Sequence, residues 1–134
     1  MDSTADYNWS DKVLLLEEAD NSNYELMIEI LAPTNIKIIH VKNHTEAIEI
    51  IRSDQVIHLI LINIHMLKKL EDEEFTSISK KLRPEIPIIA QTAFTLRDDE
   101  INYKPKGCDD FVPKPYSYQA LIEKLDSYFN RIKA

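Results

Sequence analysis

Apolar side chains recur along this chain in two alternating rhythms. Solid apolar runs suit strands buried on both faces, and stripes spaced by three and four suit helices packed on one side. Val13-Leu14-Leu15-Leu16 is the first run. Ser22-x-x-Glu25 has the form of a capping box and opens a helix through Leu31, with Leu26, Met27, Ile30 and Leu31 as its stripe. Pro33-Thr34-Asn35 ends that helix, and Ile36–Val41 is a second strand. Asn43-x-x-Glu46 caps a second helix carrying Ala47, Ile48 and Ile51. Ile57–Ile62 is the third strand, the most continuous apolar run. Phe75, Ile78 and Leu82 set a third helix over 72–82, stopped by Pro84. Ile86–Ala90 is a fourth strand, with Pro87 near its start, where a missing N–H is tolerated. Thr95-x-x-Asp98 caps a weak fourth helix, against which Asn102 and Pro105 both work. Asp110–Val112 is a short fifth strand. Ser117 caps a last helix with Leu121, Leu125, Tyr128 and Ile132 on one side.

Five strands, each followed by a helix, predict right-handed crossovers and an α/β, doubly wound, five-stranded parallel sheet with helices on both faces. Residues 1–11 read as a polar lead-in or linker with Trp9 docking it, and 12–134 as one domain. The chain has 134 residues, 44% of them hydrophobic and 29% charged, ordinary for a globular domain. A net charge of −7 argues against non-specific nucleic-acid binding, which needs Lys and Arg to neutralise phosphates. The one cysteine, Cys108, forms no internal disulfide and reads as a small packed side chain, so a reducing cytoplasm is the expected compartment. No apolar stretch is long enough to span a bilayer, and no signal peptide is visible. The single glycine excludes Gly-rich phosphate loops of both the Walker and dinucleotide types.

In such a sheet, chemistry gathers where the strands end. The strand ends here carry Glu17-Glu18-Ala19-Asp20, Asn63, Thr92 and Lys114. Acidic residues, a hydroxyl and a lysine around a central carboxylate would make a phosphoryl-transfer site, with Mg²⁺ on the carboxylates. The centre is instead Asn63, a neutral amide and a poor nucleophile. Taken alone, Asn63 is an ordinary strand-ending turn residue. His40, His44 and His58 are scattered without metal-ligand spacing. His65, two residues past Asn63, is expected to point away from the crevice.

From Lys12 to the C-terminus the chain resembles the receiver domains of two-component response regulators, with the flavodoxin-like (CheY-like) fold. Leu59-Ile60-Leu61-Ile62-Asn63-Ile64-His65-Met66 is similar to the family's strand ending in the phospho-accepting Asp, with Asn63 at the acceptor position. Ile86–Ala93 resembles the fourth strand, with Thr92 as switch hydroxyl. The segment 107–115 resembles the fifth, with Phe111 as switch aromatic and Lys114 as phosphate-binding lysine. The lead-in Trp9–Lys12 and Ser22-Asn23-Tyr24 resemble receivers of hybrid sensor kinases. The family's paired acidic positions that organise Mg²⁺ fall, without a gap, on Glu18 and Ala19. A one-residue shift would make them Glu17 and Glu18. The usual Met-Pro and Asp-Gly after the acceptor read Met66-Leu67 and Leu70-Glu71. A lone Asp→Asn exchange in a working receiver would leave these companion positions intact.

The resemblance therefore implies a degenerate receiver, not an enzyme, acting through phosphorylation-independent protein contact. Mg²⁺ is not expected as a cofactor, and Glu17 and Glu18 are its only weak candidates. The implied partners are a histidine kinase or a signalling output domain. A second copy is a further candidate, through the face of the fourth helix, fifth strand and fifth helix with Phe111, Tyr116 and Tyr118. No nucleic acid or membrane is implied. The alternative is a phosphorelay receiver still responding to Mg²⁺ or a partner kinase through the residual site. A flavodoxin-like enzyme is disfavoured, for want of a nucleophile–base pair.

Overall fold

The computed structural model describes residues 7–63, 69–92, 107–113 and 118–133. Among these, strands β1 (Val13–Glu17), β2 (Lys37–Val41), β3 (Leu59–Asn63), β4 (Ile88–Thr92) and β5 (Asp110–Pro113) form one parallel sheet in the order β2-β1-β3-β4-β5. Helices α1 (Asn21–Leu31), α2 (His44–Arg52), α3 (Lys69–Leu82) and α4 (Tyr118–Lys133) accompany it. The fourth helix expected from Thr95 lies outside the described residues, as do Ser117, Lys114 and the segment 64–68.

Alternation along the strands divides the core in two. Leu14, Leu16, Leu59, Leu61 and Ile89 point to one face, where they meet α1 and α4 through Met27, Leu31, Leu121, Leu125 and Phe129. Leu15, Ile60, Ile62, Ile88 and Ala90 point to the other, where α2 and α3 cover them with Ala47, Ile51 and Phe75. Burial on both faces is why these strands read as solid apolar runs. Trp9 belongs to the first face: it is buried, its ring packs edge-on against Phe129, and its backbone N–H donates to the Thr34 carbonyl at 2.6 Å.

Local chemistry sets the ends of the elements. α1 is capped by Asp20, whose carboxylate accepts from the Ser22 and Asn23 N–H groups, two residues earlier than the Ser22 box implied. At α2 the expected Asn43 cap accepts from Glu46 N–H at 2.8 Å, and Glu46 reaches back to Lys42 N–H rather than to Asn43 itself. α3 begins three residues before the expected Asp72. Glu71 and Asp72 in its first turn and Lys80 and Lys81 in its last complement its dipole. β4 starts two residues late because Pro87 precedes it, lending its carbonyl to Ile60 N–H at 3.0 Å. His58 drops out of β3, since its Nδ1 accepts from Val13 N–H at 2.9 Å. That bond needs a neutral ring, and burial lowers its pKa in agreement.

Gly107 is the one glycine and stands at φ 92°, in the left-handed region. A Cβ there would lie 3.0 Å from both Cβ and Oγ1 of Thr76 on α3. Gly107→Ala is therefore expected to lose about 1–3 kcal/mol of stability, from the backbone conformation and the contact together. Urea unfolding checks it: an unchanged midpoint would mean that the approach of this turn to α3 is not tight.

Candidate functional site

The parallel register brings the C-terminal ends of β1, β3, β4 and β5 to one edge of the sheet. Leu16 pairs with Leu61, Asn63 with Gln91 and Thr92 with Pro113. Glu17, Glu18 and Asn63 meet there. Asn63 N–H donates to Glu17 Oε1 at 3.2 Å. Its side-chain Nδ2 donates to the Glu17 carbonyl at 3.1 Å and to Glu18 Oε1 at 3.0 Å. Glu18 Oε2 accepts from Asp20 N–H at 3.1 Å. The Glu18 backbone is fixed as well: its N–H bonds the Val41 carbonyl, and its carbonyl accepts from His40 Nε2 at 2.7 Å. The His40 ring is stacked on Tyr24. Glu17 and Glu18 are only 6% and 4% exposed, so neither is a solvated carboxylate. Ala19, by contrast, is exposed.

The positive charge facing these acids comes from His44, one of the histidines without metal-ligand spacing. His44 Nδ1 lies 2.6 Å from Glu17 Oε2, and Nε2 lies 2.9 Å from Asp72 Oδ1 on α3. Asp72 is fully buried at 0% exposure. His44 Nε2 is hydrogen-bonded to Asp72, whereas Nδ1 stands beside Glu17 as a close ion-pair contact outside hydrogen-bond geometry, and two carboxylates flanking one ring favour its charged form. Burial alone would lower the His44 pKa. The contacts with Asp72 and Glu17 outweigh it and raise the value to about 9. The ring also stacks on Phe75 with centroids 4.7 Å apart. A cation in the first turn of a helix opposes the helix dipole, so α2 tolerates His44 only because the carboxylates answer it. A signal was present: the Asn43 cap places His44 at the C-terminal end of β2, on the same edge as Glu17.

These residues do not fit Mg²⁺, which asks for hard oxygen ligands with room for several waters. Both oxygens of Glu17 are engaged, by Asn63 N–H and His44, and both of Glu18, by Asn63 Nδ2 and Asp20 N–H. No group of three His, Cys, Asp or Glu side chains among the described residues is arranged to hold a metal. Asn63 Oδ1 is buried and accepts no hydrogen bond among the described residues.

Of the other expected positions, Thr92 ends β4 beside Pro113, on the same edge. Phe111 is half-buried on β5 and packs against the cluster under α2 and α3. Lys114 and Tyr116 lie outside the described residues. Cys108 is half-buried, and burial, helped by Asp109 and Asp72, pushes its thiol up to about 12, so it stays protonated. No helix among the described residues is long and apolar enough to cross a membrane.

The chain is 29% identical over 119 residues to the polar-differentiation response regulator DivK of Brucella anthropi, covering 87% of this chain and 95% of that one. In fold it matches a response regulator receiver domain from Clostridium thermocellum, with a TM-score of 0.75, 20% identity and coverage of 91% of this chain and 97% of that one. It also matches the receiver domain of a sensor histidine kinase from Pseudomonas aeruginosa, whose structure holds a coordinated magnesium ion in its active-site cleft. There the TM-score is 0.71 and the identity 22%, over 89% of this chain and 98% of that one. The sequence pattern of the response regulator receiver domain matches residues 13–126. With that match and the β2-β1-β3-β4-β5 sheet, the chain belongs to the response regulator receiver domain family.

Proposed function

We propose that this receiver domain of two-component signalling has lost phosphoryl acceptance and transmits through protein contact alone. One observation carries this reading. The side-chain amide of Asn63, at the position we assign to the phospho-acceptor, donates to the Glu18 carboxylate and to the Glu17 backbone carbonyl, while its backbone N–H donates to the Glu17 carboxylate, so it ties up the acids that would otherwise hold a cation. Phosphoryl transfer to a protein needs an acceptor oxygen and a cation for the developing charge. Asn63 offers a poor acceptor, and His44 neutralises the crevice from within. Thr92 and Lys114 persist on this reading as parts of the scaffold, and Phe111 as an aromatic of the contact face. The partners are a histidine kinase, an output domain or a second copy, and the domain performs no group transfer of its own.

Incubation with acetyl phosphate and Mg²⁺, followed by intact-mass measurement, is expected to leave the mass of the protein unchanged. A stable phosphoryl adduct on any residue of the crevice would overturn the proposal.

A further inference from the structure

A cavity of about 320 Å³ opens between α2 and α3, with His44 shared between it and the strand-end crevice. His44 and Ile48 form one wall, Phe75 the floor, and Glu71, Glu74 and Ile78 the other wall. Ile48 and Ile78 are half-buried, so part of each apolar side chain faces the opening. On α3 the stripe continues outward at helical spacing: Leu70, Glu74 and Ile78 stand at i, i+4 and i+8. Leu70 is 82% exposed, more than any other large apolar side chain described. The isoleucine-lined slot and the exposed Leu70 one helical turn before Glu74 together offer apolar surface that a partner could cover.

The charge around the slot is one-sided. His44 is the single cation of the lining, and it is already held by Glu17 and Asp72. Glu71 and Glu74 have no ion-pair partner among the described residues. They stand three apart on one helix, where like charges repel. A guest that relieves this repulsion is cationic, and a guest that covers Leu70, Ile48 and Ile78 is apolar. Arginine joins the two demands best. Its planar guanidinium meets carboxylates through paired hydrogen bonds, is weakly hydrated and packs on aromatic rings.

We propose that the α2–α3 groove docks a protein segment presenting an arginine between apolar side chains. The guanidinium sits between Glu71 and Glu74, one apolar neighbour lies over Phe75 and the two isoleucines, and the other covers Leu70. This site is independent of phosphoryl chemistry, so a phosphoryl adduct at the crevice would leave it standing. Its one physical link to the crevice is His44, which lines the groove and holds Glu17.

The test titrates the ¹⁵N-labelled protein with acetyl-Leu-Arg-Ala-Leu-Arg-amide and follows backbone amide shifts. Saturable shifts are expected at Ile48, Glu71, Glu74 and Ile78. The double variant Glu71→Gln/Glu74→Gln is expected to weaken binding by about tenfold, through loss of the charge-assisted bonds. Leu70→Ser should weaken it too; Leu70 and both glutamates are exposed, so none of these variants threatens the fold. The proposal is overturned by equal shifts with acetyl-Leu-Glu-Ala-Leu-Glu-amide, by shifts mapping elsewhere, or by no saturable shift. Binding of spermidine as tight as that of the peptide would also overturn it, by showing a site for small polycations.

Discussion

Exchange of His44 for glutamine is expected to cost the fold on the order of 2–4 kcal/mol, somewhat below the roughly 3–5 kcal/mol of a fully enclosed pair, because the side chain is 20% exposed. The reason lies in what remains. Glu17 and Asp72 stay buried on β1 and α3, facing one another without the cation between them. Glutamine keeps much of the shape and a donor, so the loss reports the charge. It would be read as a lower urea midpoint at neutral pH with an unchanged slope. Removing one carboxylate along with the histidine should recover part of it. The double variant His44→Gln/Glu17→Gln is then less destabilised than the sum of the singles. Strict additivity would show that the three groups do not act as a unit.

The same residue sets a pH window. The folded-state pKa of about 9 lies above the ordinary 6.5. The stabilisation is therefore complete below about pH 6.5 and fades as pH rises through about 9, by on the order of 2–3 kcal/mol. His58 acts in the opposite direction, because its pKa is lowered and its neutral ring accepts from Val13; it costs stability as pH falls. The difference between wild type and His44→Gln isolates the first effect. That difference should shrink between pH 7 and 9.5, and a flat difference would remove the imidazolium from the account.

Asn63→Asp is the second large effect, and it runs against the intuition that restoring a carboxylate restores a site. The exchange deletes the two bonds from Nδ2 to the Glu17 carbonyl and Glu18 Oε1. It also sets a third negative charge beside two buried ones. A loss of about 2–4 kcal/mol is expected at neutral pH, from the two lost bonds, one of them charge-assisted, and from like-charge repulsion. Stability should return as pH falls and one carboxyl takes up a proton. Mg²⁺ should raise the melting temperature of this variant and leave wild type unmoved. Wild-type stability in the variant without Mg²⁺, at neutral pH, would mean that the crevice is open enough to solvate all three carboxylates.

The sequence carried the sheet because its strands are buried on both faces, and such runs announce themselves. It carried the edge at which Glu17, Glu18 and Asn63 meet because strand ends in a parallel sheet share a side. Element boundaries were less legible, since they rest on single side-chain bonds. Asp20 rather than Ser22 caps α1, and His58 leaves β3 to accept from Val13. His44 and Asp72 were not legible as partners. They lie 28 residues apart on different helices, and only the packing of α2 against α3 brings them to 2.9 Å.

That packing is clamped at both ends. His44 bonds Asp72 where α2 begins. Where it ends, the Arg83 guanidinium donates to the carbonyls of Ile51 at 3.0 Å and Gln55 at 2.7 Å, and also to that of Ser53. A helix of nine residues fastened in this way has little freedom to fray by itself. α2 and α3 are therefore expected to open to solvent as one cooperative block, with the amide hydrogens of the two helices exchanging on a common timescale.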